Sequence, residues 1–413
     1  MRHRDSTAAT NDSPRGHPGC GSSSNSGGTG GSTSLGGRTG TGGGVGSHKG
    51  GAGGHAAVGG GAAGGSAGSG CVVPPASSAW VEIPARPEDV GLTVTDSFAV
   101  AGNDLLFAGT TAPGTAANQL RVVRWNQGCW SQELSMPIDA TADVASVHGL
   151  GPGDLWAVGG DLILHDVGQG WALMDEGWRT KVQLTPRLFG APALPTFVRV
   201  RAASATDVWI NETEKVVHWT GGNWTAYNFD SPDYPMNTAT IALDFADIWI
   251  DNPQEVWVAD GSDVVGNLYD PAYVRQFDGT SWNPFRVANW NVYSIWRSGA
   301  TLWLATAPQP SFGGSLVSFT GGVASPPVPI GGVSAMVTQP FLKTLWGRAD
   351  DDIWSAGSDV AQFDGASWTL QTDVPAATHS ANGDGFNTFV GGDPNGVWLV
   401  TPGPHFFRKA AGP

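Results

Sequence analysis

The chain has 413 residues, 61 of them Gly and 19 Trp, with 14% charged residues and a formal net charge of −15. It has only five Lys (Lys49, Lys181, Lys215, Lys343 and Lys409), so it lacks the clustered cations that neutralise phosphates. This excludes nucleic acid as a partner and disfavours anionic membranes as direct ones; with no apolar run of 18 residues, nothing reads as a transmembrane helix.

Residues 1–75 are dominated by Gly and Ser, with runs such as Gly27-Gly28-Thr29-Gly30-Gly31 and Gly59-Gly60-Gly61. A stretch with almost no large apolar side chain cannot bury enough surface to offset its ordering entropy, so it is expected to be a disordered leader or tether. Within it, Gly19-Cys20-Gly21-Ser22-Ser23-Ser24 resembles the region around the lipidated cysteine of bacterial surface lipoproteins. The apolar residues that should precede such a cysteine are missing, so Cys20 reads either as a lipid anchor or as an inert tether cysteine.

From residue 76 to 413 the organising signal is a repeat. Asp154-Leu155-Trp156-Ala157-Val158-Gly159 is its clearest copy, echoed by Asp207-Val208-Trp209-Ile210, Glu255-Val256-Trp257-Val258, Thr301-Leu302-Trp303-Leu304, Asp352-Ile353-Trp354-Ser355 and Gly396-Val397-Trp398-Leu399. Asp104-Leu105-Leu106-Phe107-Ala108-Gly109 reads as a degenerate first copy with Phe107 at the Trp position. The steps from Phe107 to Trp398 are 49, 53, 48, 46, 51 and 44 residues, the length of a four-stranded propeller blade. A second half-repeat, as in Val217-His218-Trp219-Thr220-Gly221-Gly222-Asn223-Trp224 and Gln276-Phe277-Asp278-Gly279-Thr280-Ser281-Trp282, reads as a hairpin whose Gly supplies positive φ. Each unit is therefore strand A, short turn, strand B, connection, strand C, short turn, strand D.

The last unit stops after His405-Phe406-Phe407-Arg408, one strand short, while Ser78-Ala79-Trp80-Val81-Glu82-Ile83 matches the D strand of other units. The expected fold is all-β: a seven-bladed β-propeller of four-stranded antiparallel blades, closed by an N-terminal strand that completes the last blade. Of the 19 Trp, only Trp178 and Trp290 fall off the repeat; the others read as packing between blades.

An up-and-down meander puts B-to-C and D-to-A connections at one end of every blade, and these are the long ones. Binding is expected there. The segment from Gly177 to Thr196 brings Trp178, Arg179, Lys181 and Arg187 together, and Tyr234, Tyr269, Trp290 and Phe312 are expected to join them across the face. Aromatic rings beside carboxylates suit stacking on sugars and equally suit gripping a peptide. Catalytic and metal-ligand motifs are not found, and no catalytic residue is assigned; His165 and His218 share their strand C position with Arg124, Gln276 and Gln362, which reads as solvent-facing. Asp350-Asp351-Asp352 reads as a turn cap, and Asp260, Asp263 and Asp270 form a loose Ca²⁺ candidate, so no cofactor is expected beyond that. Cys71 and Cys129 lie near the closure of the ring, either as a disulfide or as two free thiols.

The Asp-aliphatic-Trp-Ala-Val-Gly repeat, followed by His-Trp or Phe-Asp and then Gly and Trp, resembles the Trp-rich propeller repeats of bacterial secreted proteins and lipoproteins, which carry kelch-like, galactose-oxidase-like or sialidase-like labels. The enzyme labels do not transfer. Phe277-Asp278-Gly279-Thr280-Ser281-Trp282 is one residue tighter than the sialidase Ser-x-Asp-x-Gly-x-x-Trp box and lacks its Ser, and no Tyr, His and Cys copper set can be assembled. The one-faced long loops and the missing catalytic motifs point to an extracellular or cell-envelope binding module, expected to be a monomer, that takes polysaccharide or protein on its long-loop face. The alternatives are a glycan-active hydrolase or lyase using loop carboxylates, and a structural envelope protein without a small ligand.

Overall fold

The computed structural model describes residues 71, 77–174, 176–181, 197–212, 215–229, 245–260, 264–265, 268–269, 272–287, 290–308, 315–326, 328, 342–357, 359–375, 389–401 and 405–411. They form seven four-stranded antiparallel sheets and one two-stranded hairpin. The innermost (A) strands are Leu92–Ala101, Ala145–Gly151, Phe197–Ser204, Phe245–Asn252, Trp290–Ser298, Leu342–Ala349 and Phe389–Asp393. Each lies against the next and the last against the first, so the blades close a ring. The only helical turns among the described residues are Pro87–Asp89 and Glu176–Thr180, and no helix there is long and apolar enough to cross a membrane.

Two residues separate every A strand from its B strand, so all seven inner hairpins are tight. The outer hairpins use side-chain-capped turns. In the fourth blade Asp278 accepts hydrogen bonds from the Thr280 and Ser281 amides (3.0 and 2.8 Å), with Gly279 at φ 91° between them; Asp364 does the same for Ala366 and Ser367 around Gly365. These bonds to the ionised form hold both carboxyls well below the usual range.

The sheet register moves one reading by a residue. Trp156 pairs with His165 and Trp209 with His218, and in the first blade the equivalent partner of Arg124 is Leu106. Leu106, not Phe107, therefore holds the Trp position. Because side chains alternate across a strand, Phe107 faces the other way and packs on Trp398 of the seventh blade (5.5 Å between centroids).

That alternation builds the core. Seven separate hydrophobic clusters fill the seven interfaces between blades. The B-strand Trp of one blade points forward into the next, while the D-strand Trp of that next blade points back. Trp156 and Trp224 share the interface of blades 2 and 3, Trp209 and Trp282 that of blades 3 and 4, and Trp354 and Trp80 that of blades 6 and 7. Truncating one such buried ring to Ala typically costs about 3–5 kcal/mol.

The ring closes as the repeat demands. Val81–Ile83 pairs antiparallel with His405–Ala410, in register Val81 with Arg408 and Ile83 with Phe406, and becomes the D strand of the seventh blade. Cys71 is joined to Cys129, the first residue of the D strand Cys129–Pro137 of the first blade, with Cα atoms 4.4 Å apart.

Candidate functional site

The strand directions place every D-to-A and B-to-C connection on one rim. The four longest, 174–196, 229–244, 325–341 and 371–388, are all D-to-A connections, whereas the B-to-C links of blades 2, 3 and 6 are as short as turns. Among the described residues the opposite rim carries tight hairpins and, in the seventh blade, the start of Val81–Ile83 beside the end of His405–Ala410. In the fourth blade a small hairpin, Val264–Val265 with Leu268–Tyr269, rises from the B-to-C link on the long-connection rim.

Three of the residues expected to bind ligand have described side chains. Trp178 is 3% exposed: it packs edge-on against Phe197 (5.0 Å) in the core between blades 2 and 3. The Arg179 guanidinium lies 4.4 Å over its ring and pairs with Asp161 at 2.9 Å. The ring is thus a core group rather than an exposed stacking platform, because the short helical turn Glu176–Thr180 folds it inward. Lys181, whose backbone amide donates to the Trp178 carbonyl at the end of that turn, is exposed on the rim. Tyr269 pairs with Val264 in the small hairpin, and Trp290 opens the A strand of the fifth blade opposite Pro308, six residues before the repeated A-strand Trp296. Their side chains lie outside the described residues, as do Arg187, Tyr234, Phe312, Asp263, Asp270 and Cys20. Asp260 closes the B strand of the fourth blade, opposite Tyr273. Among the described residues, no three His, Cys, Asp or Glu converge as a metal site.

His165 and His218 are not solvent-facing. Each stacks flat on the B-strand Trp beside it (Trp156 at 3.8 Å, Trp209 at 3.7 Å). Each also meets the Asp two residues before that Trp, His165 with Asp154 at 2.8 Å and His218 with Asp207 at 3.2 Å. The same Asp accepts from the indole N–H, at 3.1 and 2.7 Å. Gln362 and Trp354 converge on Asp352 in the same way, so that carboxylate ties two strands and does not cap its turn. In blades 2, 3 and 6 the Asp-x-Trp signature is therefore a polar clamp, with the C-strand His or Gln as its third member.

A second polar layer, absent from the sequence reading, lines the inner strands. Asp96 on blade 1 accepts from Ser146 on blade 2 and from Arg201 on blade 3 (Nη1 to Oδ2, 3.0 Å). Arg201 also donates to Ser146 Oγ at 3.4 Å and stands 3.9 Å from Asp247 on blade 4, which Arg199 approaches at 3.6 Å. Burial alone would push the Asp96 carboxyl up, but Arg201 and Arg199, with the Ser146 hydroxyl, hold it below its ordinary value. Burial likewise opposes the charge on Arg201, and Asp96 and Asp247 more than restore it. His148, half-buried beside Phe98, is pushed down to about 3 by desolvation first and then by Arg201, so it is neutral and its Nδ1 accepts the Ala202 amide at 3.1 Å. Two carboxylates and two guanidiniums balance in charge; Arg201 to Asp96 is the hydrogen bond among them, while Asp247 accepts from the Ser294 hydroxyl and from the Ile248 and Ile295 amides.

The layer continues as a belt of single polar groups reaching the next blade's backbone. Thr95 Oγ1 accepts from the Ala145 amide, Ser146 from Val200, Asp247 from Ile295, Ser294 from Leu345 and Thr344 from Val390. In blades 1, 3, 4, 5 and 6 a register shift interrupts the A strand close to its rim end, beside these residues. The recurrence of Asp96, Ser146, Asp247, Ser294 and Thr344 at blade-length intervals is the signal that could have found them.

No protein-family model matches the chain, and no curated protein matches it by sequence. Solved structures do match in fold. YCF48 bound to a D1 peptide is 14% identical, covers 81% of this chain and 95% of its own, and superposes with a TM-score of 0.51. The computationally designed Ika8 protein (10% identity, 78% of this chain and 97% of its own) reaches 0.46. The extracellular domain of a one-component system protein from B. thetaiotaomicron (12% identity, 78% and 52%) reaches 0.41. These likenesses concern the propeller architecture.

Proposed function

We propose that this protein is an extracellular or cell-envelope binding scaffold: a propeller, carried on a Gly/Ser-rich tether, that holds a protein segment on its long-connection rim. The observation that carries the reading is one-sidedness. Every long connection leaves the same rim of a ring whose blades are tied together by a polar layer and seven apolar interfaces. The Cys71–Cys129 bond supports an oxidising compartment, and Cys20 is the point at which a lipid would attach the tether. A propeller of the same fold is described bound to a peptide, which favours a protein ligand. The burial of Trp178 takes away the best candidate platform for a sugar ring. The exposed Lys181 puts a cation on the rim of an otherwise acidic chain, which favours acidic segments. The kelch-like grouping rests on the residues of the repeat alone.

The test is a binding screen of the full chain against peptide arrays of graded charge and against polysaccharide arrays, each hit also checked for cleavage products. Acidic peptides are expected to bind, and Lys181→Glu to weaken them by roughly threefold to tenfold. Binding only to polysaccharide would replace the ligand class, and released product would replace scaffold by enzyme. Binding lost through substitutions on the opposite, tight-hairpin rim would overturn the site.

A further inference from the structure

The segment from residue 71 to residue 91 holds the two ends of the ring together, and it is itself held at both ends. Its central strand, Val81–Ile83, is short: three registered pairs with His405–Ala410, extended by the Ala410 amide donating to Ser77 at 3.0 Å and by Glu82 with His405 at 2.9 Å. Downstream, Arg86 forks onto the buried Asp89 with two bonds of 2.8 Å, Arg121 of the first blade stands 3.7 Å from the same carboxylate, and the Trp130 indole donates to the Pro84 carbonyl at 3.0 Å. Upstream, the Cys71–Cys129 bond fixes the chain to the outer strand of the first blade.

We propose that this disulfide is a load-bearing strap: tension entering through the leader passes from Cys71 directly into the first blade and bypasses the strand that closes the ring. The covalent loop spans a sequence separation of 58 and contains the closing strand and the A, B and C strands of the first blade. A pull on residues before 71 is therefore resisted at Cys129, in a strand registered over eight pairs with its neighbour Gln119–Asn126. Without the bond the same pull reaches Val81–Ile83 first and peels three pairs from the seventh blade. A dithiol reductant would open the strap by exchange, giving two protein thiols and leaving the reductant as its own disulfide, so the ring's resistance to tension would follow the redox state of its surroundings. The inference does not depend on which ligand the rim binds.

Force spectroscopy on the full chain, held by handles at its two termini, tests it. Oxidised protein is expected to show no low-force event before the blades rupture. After reduction of the folded protein, an early low-force event should appear, and the total contour should lengthen by about 200 Å as the loop is freed. Cys71→Ser is expected to behave like the reduced protein; if that variant fails to fold, reduction of the folded wild type gives the same comparison. Amide exchange at Phe406–Arg408 without tension provides a control: on reduction it should rise no more than it does at Val208–Ile210 of the third blade, since the closing strand stays paired when nothing pulls on it. A first rupture at the same force in both redox states, or a loss of protection on reduction confined to the closing strand and its partner, would overturn the strap.

Discussion

Arg201 is the side chain on which the inner wall depends most. From the third blade it reaches Asp96, Ser146 and Asp247, so it contacts the first, second and fourth blades at once. Removing it would leave two buried carboxylates short of a counter-charge, a kind of loss that typically costs about 3–5 kcal/mol. Arg201→Met is therefore expected to lower the urea unfolding free energy by that order, and a change under about 1 kcal/mol would show the cluster to be dispensable. The acid limb gives an independent reading. Asp96 is depressed in the folded state, so its contribution is complete above its unfolded value of about 3.9 and fades as pH falls through the lower folded value. Wild-type protein should thus lose stability below about pH 4, and Arg201→Met should lose less of it there. His148 adds a loss that begins higher, as pH falls below the ordinary histidine value of about 6.5 and on to about 3, because it is neutral when folded and must take up a proton on unfolding in that range.

Among elements, the A strands show how little room the ring leaves near its axis. A Cβ placed on Gly347 would stand 2.7 Å from the indole of Trp296 on the preceding blade, and one on Gly392 would stand 2.8 Å from the indole of Trp346. An A-strand Trp thus lies flat on the backbone of the next blade, and only Gly admits it. Gly347→Ala is expected to cost about 1–3 kcal/mol. Because the obstruction there is a side chain, Trp296→Leu in the same chain should recover part of that loss, as a double-mutant cycle in chemical denaturation would measure. At Gly392 the Gly396 carbonyl oxygen also blocks the added methyl, so Gly392→Ala should be the more damaging and should not be rescued by Trp346→Leu.

For the whole molecule, stability should respond to the closing segment and not to the leader. In the chain-entropy account, a cross-link with a sequence separation of 58 contributes about 4 kcal/mol. A chain beginning at Cys71 is expected to melt within a degree or two of the full chain, whereas one beginning at Leu92 loses the disulfide and the D strand of the seventh blade. Calorimetry should place that second chain lower by on the order of 5–10 °C. An unchanged melting point for it would mean that the ring does not need its closing strand.

The sequence by itself determined the number of blades, their four-strand plan, the borrowed closing strand and the rim that carries long connections. All of these follow from patterns local to one repeat: the Asp-x-Trp step, the Gly turns and the parity of side chains along a strand. Parity also limited the reading, since Phe107 in place of Leu106 is a one-residue slip; the pairing of Leu106 with Arg124 exposes it, and the Asp104-Leu105-Leu106 step already carried the signal. Tertiary structure decided the rest. Whether Trp178 met solvent or core depended on how a short helical turn docked against Phe197, and the histidines of strand C turned inward because an Asp and an indole were waiting there. The inner cluster joins residues as far as 105 positions apart. Contacts of that range come from closing the ring, and no single repeat encodes them.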